Sequence, residues 1–403
     1  LLRTIVHRAI RRKSLMFPLI TISGEPYERG LQYGAAAASL IRHSIANYAR
    51  LFAHRRGMDW EAVQCEALTY EPLLREIAPN VLAEMQGIAV GAGRTLAEII
   101  ALNVRTELLA GIGVGVHHPD AALALARNRA VGVPTHAESG ATSGLSVGDD
   151  GECTTAAAAP PATANDEVWL AQTWDWQGDQ RAACIILRID GPGIPSFLTL
   201  TEAGMVAKIG LNQAGIAVGL NLLRSTTDGQ RQGMPVHILL RQMLQATDVM
   251  TARRLAKQIP AGGSSCITLA SADGQLLAFE LTPTAVAELP AHEGLLAHAN
   301  HCLDTTTAAG ECALEPTATS RERYGRAWTL LQESAGRIGL DVLQAILRDH
   351  EGAPRCICRH PDPQIAAVDR NESVCGVIID LRHRTMHVAP HIPCRVPFVP
   401  VTL

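Results

Sequence analysis

Aromatic residues are scarce: five Trp, five Tyr and five Phe make up 4% of 403 residues. Proteins that hold single-stranded nucleic acid stack bases on aromatic rings, and this chain offers few. A basic surplus is missing too. Lys and Arg number 35 against 39 Asp and Glu, a net charge of −4. Without a positive field the chain has nothing to draw a polyanion, so no nucleic-acid partner is expected. No apolar run reaches the roughly 18 residues that a membrane span needs, so no membrane partner is expected. The ten cysteines are too few and too irregularly spaced for a secreted disulfide framework. They suggest mostly free thiols in a reducing, cytoplasmic setting. Phosphate-loop spacing and the Gly-x-Ser-x-Gly elbow are both absent; "GAGRT" and "GGSS" are glycine turns.

What is present fits a globular enzyme, with 47% hydrophobic and 18% charged residues. Residues 1–15 are basic and weakly amphipathic, an extension of uncertain status before a folded part that opens at Met16. "FPLITISG" reads as a strand closed by Gly24. Apolar residues then recur at three- and four-residue spacing over 27–55, 59–76, 79–92 and 95–109, which predicts amphipathic helices. An irregular stretch covers 112–166. From 167 the period becomes two, in "EVWLAQTWDW", "ACIILRID", "SFLTLTE", "VAKIGLN" and "IAVGLNLL". The intervening "DGPG", "EAGM" and "NQAG" have hairpin-turn chemistry. Two helices follow (from "PVHILLRQMLQA" and "VMTARRLAKQI"), then hairpins from "CITLASADGQLLAFELT" and "AVAELPAHEGLLAHANH". Helices over 319–334 and 339–349 and a last hairpin, "SVCGVIIDLRHRTMHVAP", complete the pattern. Strand pairs followed by helix pairs predict an α+β fold, antiparallel sheets covered by helices in layers. No linker separates independent domains.

Two constellations carry possible chemistry. Cys356, Cys358 and His360 in "CICRH", with His298 and His301, give a faint zinc signal. Zinc sites show two clear ligand pairs at motif spacing, and these do not, so no metal is expected. Cys153 in "DDGECTT" is the stronger candidate. Mid-chain, it has no adjacent base. Cutting the Glu152–Cys153 bond would give it an α-amine with a pKa near 7.7–8.0. That amine could deprotonate its own thiol, as an N-terminal threonine is activated.

The ordered motifs resemble the penicillin acyltransferase family, the acyl-CoA:6-aminopenicillanate acyltransferases of peptidase family C45 within the N-terminal-nucleophile hydrolases. The likeness runs from about Phe17 to about Pro390. It is carried by "SGEPYERGLQYGAAAASLI", "EIIALNVRTELLAG", "DGECTT", "WLAQTWDW", "TEAGMVAKIGLNQAGIAVGLNLL", "GMPVHILLRQML", "FELTPT", "LAHANHCL" and "PRCICRHPD", in family order. The resemblance implies a four-layer αββα sandwich, with two antiparallel sheets between helices. It implies that self-cleavage before Cys153 divides the chain into a helical α-chain or propeptide part, 16–152, and a β-chain, 153–403. These would form one domain as a self-derived α/β heterodimer.

The resemblance also implies residue roles. Cys153 matches the nucleophile and Asn300 the oxyanion-hole amide. Asp175 matches an acidic group on the substrate's amine side. Arg370 falls near the arginine that binds the substrate carboxylate, with Arg359 as the competing candidate. Thr154 and Thr155 match hydroxyls with a part in processing. Glu152 is a departure, because the penicillin enzyme has Gly directly before its cysteine; a carboxylate there could hinder or tune the cut. Without the resemblance, Asp175 would cap a turn, Asn300 would hold a strand end, Arg359 and Arg370 would be surface charges, and the threonines would be strand residues.

The implied activity is a self-cleaving cysteine acyltransferase or amidohydrolase acting on N-acyl amino acids, peptide-like amides, thioesters or β-lactams. It needs no cofactor, with acyl-CoA as a possible substrate, and its partners are a small-molecule acyl donor and an amine acceptor. The alternatives are an amidohydrolase without transferase activity and a processing-defective binding protein.

Overall fold

The structure, a computed structural model, describes residues 16–110, 153–312 and 318–403. Strand β1 (Leu19–Ser23) leads into helices α1 (Pro26–Arg56), α2 (Trp60–Leu68), α3 (Glu71–Ile77), α4 (Pro79–Ala92), α5 (Leu96–Asn103) and α6 (Arg105–Leu109). After Cys153 come β2 (Thr154–Ala158), β3 (Trp169–Gln177), β4 (Cys184–Asp190), β5 (Phe197–Glu202), β6 (Ile209–Asn212) and β7 (Ile216–Leu222). Helices α7 (Val236–Leu244) and α8 (Val249–Gln258) precede β8 (Ser265–Ser271), β9 (Leu276–Leu281), β10 (Val286–Pro290) and β11 (Leu295–His298). Helices α9 (Thr305–Ala308), α10 (Ser320–Glu333) and α11 (Leu340–Leu347) follow, then β12 (Asn371–Asp380), β13 (Thr385–Ala389) and β14 (Val399–Thr402).

The strands form two sheets. One has the order β1-β4-β5-β6-β7-β8-β9-β10, the other β11-β2-β3-β12-β13-β14. Helices α1, α7 and α8 cover the first sheet; α10 and α11 cover the second; β2, β3 and β11 meet β7 and β9 between them. This is an α+β fold of four layers. The period-two pattern shows why it closes. Ala157, Leu170 and Val377 face the core between the sheets. Their neighbours Ala156, Ala158, Trp169, Ala171 and Ile378 face the core under α10 and α11. Gln172 of β3 crosses to the other sheet, donating to the Leu220 carbonyl and accepting from the Leu220 N–H at 2.9 Å. Two hairpin turns need a left-handed residue, and glycine supplies it at Gly215 (φ 89°) and Gly274 (φ 96°).

Helices α1 and α4 pack backbone to backbone. A Cβ on Gly30 would sit 2.1 Å from the Glu84 carbonyl oxygen, and one on Gly87 would sit 2.2 Å from that of Tyr27. Gly34 and Gly91 continue the same contact one turn on. Glu84 of α4 is fully buried there and binds Arg241 of α7 at 2.8 and 2.7 Å and Arg29 of α1 at 3.0 Å. One core joins Tyr33 and Leu102 to Cys153, Leu200 and Val377, so residues 16–110 and 153–403 bury each other. No helix among the described residues is long and apolar enough to cross a membrane.

Several expectations need correction. Within the supposed irregular stretch, 154–158 form β2, fully buried between β3 and β11. Four alanines in a row show no alternation of polarity because both faces are buried. The first sheet is not wholly antiparallel, since β1 pairs with β4 in parallel. The segment "AVAELPAHEGLLAHANH" is not a hairpin. β10 pairs with β9 in one sheet and β11 pairs with β2 in the other, so this segment crosses between layers. The predicted helix at 59–76 breaks at Thr69–Tyr70, and that at 95–109 breaks at Val104.

Candidate active site

Cys153 sits at the head of β2, an inner strand of its sheet. It is 4% exposed and part of the core, although the sequence puts it in an irregular stretch. The chain is locked immediately after it: the Thr154 N–H donates to Thr173 Oγ1 at 3.3 Å, and Thr154 pairs with Thr173 in the ladder. The Cys153 carbonyl accepts from Arg323 Nη1 at 2.9 Å and from Asn221 Nδ2 at 3.0 Å.

Arg323, on α10, is the organising cation. It is buried, and it also donates to Thr154 Oγ1 at 2.8 Å and to Asn300 Oδ1 at 3.0 Å. One guanidinium therefore fixes the backbone of Cys153, the hydroxyl beside it and the amide of Asn300. Asn300 follows β11 by two residues. Its backbone N–H donates to Ser320 Oγ at 2.7 Å and its Nδ2 to the Leu222 carbonyl at 2.9 Å. Thr155 Oγ1 donates to Asn221 Oδ1 at 2.7 Å, which orients the Asn221 amide toward Cys153. Both threonines are strand residues, as their β-branching favours, and both hydroxyls are engaged.

Asp175 lies in β3, fully buried, with Oδ1 accepting from Ser373 Oγ at 2.7 Å. Ser373 stands opposite it where the β3–β12 register slips between Ser373 and Cys375. Ser373 Oγ also accepts from the Arg359 N–H at 2.9 Å, and the Ser373 N–H donates to the Arg359 carbonyl at 3.0 Å. Arg359 is 1% exposed, so it is not the surface charge its sequence context suggests. Arg370 is half-buried and its guanidinium donates to the Ile365 carbonyl at 2.8 Å and more weakly to that of Pro363. Thus the structure brings Cys153, Asn300, Thr154 and Thr155 together through Arg323 and Asn221. Asp175 adjoins Cys153 and binds the Arg359 loop through Ser373, while Arg370 braces the loop before β12. Glu152 lies outside the described residues.

The electrostatics of Cys153 follow from burial. Burial pushes the Cys153 thiol up to about 11, and the Asp175 carboxylate adds to the rise. The Asp175 backbone N–H, which donates to the sulfur, opposes it, as do Lys208 and Arg323. The thiol is therefore protonated at neutral pH. A base is required.

A buried cluster lies behind this site. Glu202 accepts from Tyr48 at 2.5 Å, Arg105 at 3.0 Å and Lys208 at 3.2 Å. Burial alone would raise Glu202, but Arg105, Lys208 and the Tyr48 hydroxyl hold it down at about 2. Lys208 lies 3.4 Å from the centre of the Trp174 ring. Burial lowers it to about 8, against the pull of Glu202 and with the repulsion of Arg105. The contact favours the charged form of both partners, but burial and Arg105 outweigh it at Lys208. Arg105, always charged, is the leading stabiliser of the carboxylate.

A cleft of about 30 Å³ opens beside the site, lined by Arg105, Trp176, Leu222, Arg224, Asp228 and Ser264 among others. It has room for about one water. It touches the site through Leu222, whose carbonyl anchors Asn300.

The histidines once weighed for zinc are placed apart. His298 Nε2 binds Glu280 at 2.8 Å, and burial would lower it, but Cys266 and Glu280 hold it up at about 10. His301 Nδ1 lies 2.7 Å from Ser320 Oγ. Sequence reading missed Arg323, Asn221 and Ser373. Asn221 had a signal, a polar residue inside the apolar strand "IAVGLNLL"; Arg323 in "RERYGR" looks like any helix-surface charge.

Comparison with known proteins identifies the family of the chain. The 40 kDa form of acyl-coenzyme A:6-aminopenicillanic-acid-acyltransferase from Emericella nidulans is 28% identical over 344 residues, 84% of each chain. Among solved structures, penicillin V acylase from Agrobacterium tumefaciens is 13% identical, with a TM-score of 0.40 over 59% of this chain and 82% of that one. A mutant conjugated bile acid hydrolase from Clostridium perfringens is 11% identical, with a TM-score of 0.45 over 62% and 92%. Residues 162–390 match the family model described as acyl-coenzyme A:6-aminopenicillanic acid acyl-transferase. With more than half of its length matched, the chain belongs to that family.

Proposed function

We propose that the chain is a cysteine N-terminal-nucleophile enzyme that cuts its own Glu152–Cys153 bond and then transfers or hydrolyses acyl groups. The observation that carries this reading is Cys153 itself. It is a buried thiol at the head of an inner strand, pushed up by its burial, with its carbonyl gripped by Arg323 and Asn221. Cleavage supplies the base. In the cut, Sγ attacks the Glu152 carbonyl carbon, the C–N bond breaks, the Cys153 nitrogen takes a proton, and the acyl group rests on sulfur. Water hydrolyses this thioester, leaving a free thiol and a free α-amine.

In the mature enzyme the amine takes the thiol proton and the thiolate attacks an amide or thioester carbonyl. Asn300, oriented by Arg323, supplies an amide N–H to the oxyanion, a role on the order of 3–4 kcal/mol. The amine or thiol leaves with the proton and an acyl-cysteine remains. Water or an incoming amine then takes the acyl group. In this reading Asp175 meets the amine side of the substrate, and Arg370 or the competing Arg359 meets its carboxylate. The family and the relative, named for acyl-coenzyme A and 6-aminopenicillanic acid, support acyl-CoA thioesters and β-lactam amines as substrate classes; N-acyl amides belong to the same reading.

Intact mass tests the cut. The chain of 43.0 kDa is expected to yield pieces of about 16 and 27 kDa, and Cys153→Ala to stay whole, folded and inactive. A wild-type chain that stays whole yet turns over substrate would defeat the reading. A panel of CoA thioesters and N-acyl amides, each with and without an amine acceptor, separates transfer from hydrolysis. Release of free acid alone would assign the chain as a hydrolase.

A further inference from the structure

The loop that carries Arg359 gathers a second set of reactive side chains. His350, Cys358, His360 and Cys394 each present one ligand atom, and all four atoms lie within 4.8 Å of one another. His350 Nε2 and His360 Nε2 are 3.1 Å apart, and Cys394 Sγ is 3.3 Å from His360 Nε2. The two rings are tilted by 49°, with centroids 5.1 Å apart. Around a tetrahedral zinc, with bonds of about 2.0–2.1 Å to nitrogen and about 2.3 Å to sulfur, ligand atoms stand roughly 3.3–3.8 Å apart. The observed spacing is close to that without an ion.

The four ligands come from two loops whose backbones are fixed independently. The Cys358 N–H donates to the Asp349 carbonyl at 3.0 Å and the His360 N–H to that of Pro354 at 2.9 Å. Arg348, at the end of α11, donates to the Pro393 carbonyl at 3.0 Å, which brings the Cys394 loop alongside. Cys356 is outside the set, because its thiol turns to the Cys358 carbonyl at 3.0 Å. A hydrogen bond between two imidazoles accounts for one pair of contacts. It does not account for two sulfurs and two nitrogens all lying within 4.8 Å of one another.

We propose that His350, Cys358, His360 and Cys394 form a structural zinc site. Two thiolates and two imidazoles are the soft, borderline donor set that suits zinc; calcium and magnesium require oxygen. Four protein ligands leave no open position, so the ion staples rather than catalyses. On binding, Cys358 and Cys394 release their thiol protons to solvent and both histidines bind as neutral imidazoles. The staple joins the 349–360 loop to the segment after β13. Arg359 lies between two of the ligands, and its backbone holds Ser373, which holds Asp175. The ion thereby fixes one wall of the site. The order His-x7-Cys-x-His-x33-Cys matches no familiar ligand spacing, which is why the sequence conceals it.

The test uses the full chain, produced with zinc in the medium and purified with a thiol reductant and no chelator. Elemental mass spectrometry after dialysis is expected to find about one zinc per chain. Cys394→Ser and His360→Ala are expected to lose it, and Cys65→Ser, an exposed cysteine on α2, to retain it. Cobalt in place of zinc is expected to give the visible absorption of a tetrahedral thiolate site. Metal content is read whether or not the chain is cut at Cys153, so this result and the acyl-transfer reading fail separately. Wild-type protein that keeps only trace zinc overturns the proposal. So does a Cys394→Ser/His360→Ala chain that keeps a full equivalent, or a Cys358–Cys394 disulfide in the reduced preparation.

Discussion

Arg323 shows how much one side chain can hold. Removing it leaves the Cys153 carbonyl, the Thr154 hydroxyl and the Asn300 carbonyl oxygen without their charged donor. Each buried acceptor left so costs about 1–3 kcal/mol. Arg323→Ala is therefore expected to lower kcat by about 10²–10³-fold with little change in KM, the loss typical of a misplaced oxyanion donor. Arg323→Lys, a single ammonium in place of a fork, should rescue only part of it. Steady-state kinetics beside thermal melting separate this from simple unfolding. At this scale the sequence was legible where a residue type is rare in its context. Cys153 stands out as a thiol in an irregular stretch, yet it is buried. Arg323 and Ser373 did not stand out, because their roles come from chain segments far away. Thr154 and Arg323 are 169 residues apart, a distance no local pattern encodes.

At the scale of elements, periodicity reported well on strands with one polar face and on amphipathic helices. It failed at β2, whose alanines are buried on both faces, and at the β10–β11 crossing, where a turn-like "PAHEG" changes sheets. It was equally silent on the α1–α4 contact, because glycines in a helix look like defects until the partner helix is known. Their purpose is close approach. Gly30→Ala would gain about 1 kcal/mol of helix propensity. Its methyl, though, would meet the Glu84 carbonyl at 2.1 Å, and prying two backbones apart costs about 3 kcal/mol. The variant is expected to melt several degrees lower, and Gly57→Ala, which meets no neighbour but strains a left-handed cap at φ 61°, to cost only about 1 kcal/mol. Denaturant titration of both variants checks the ranking.

Across the whole molecule, the Glu202 cluster ties the segment before Cys153 to the segment after it, since Tyr48 and Arg105 belong to the first and Glu202 and Lys208 to the second. Glu202 sets the acid side of the pH dependence within this cluster. Its folded value, about 2, lies below the ordinary 4.5. Its contribution is thus present above about pH 4.5 and is lost as pH falls toward 2, on the order of 3 kcal/mol in all. Wild-type stability is expected to drop between pH 5 and 3 by more than that of Glu202→Gln. At pH 7 the variant should already be weaker by about 3–5 kcal/mol, because Arg105 and Lys208 are left buried without their anion. Melting curves across pH test both.

The position of β2 bears on the order of events in the cell. Its partner β11 and the guanidinium that grips Cys153 are made late, Arg323 being 170 residues downstream. At about 5–20 residues per second, the ribosome delivers Arg323 roughly ten to thirty seconds after Cys153. Until then the proposed scissile bond lacks the cradle that would promote its cutting. A nascent chain released before Ser320 is expected to remain in one piece, which pulse-labelling of truncated messages would reveal. Cleavage would then serve as a receipt for a finished polypeptide, issued only after the last contributor to the cradle has emerged.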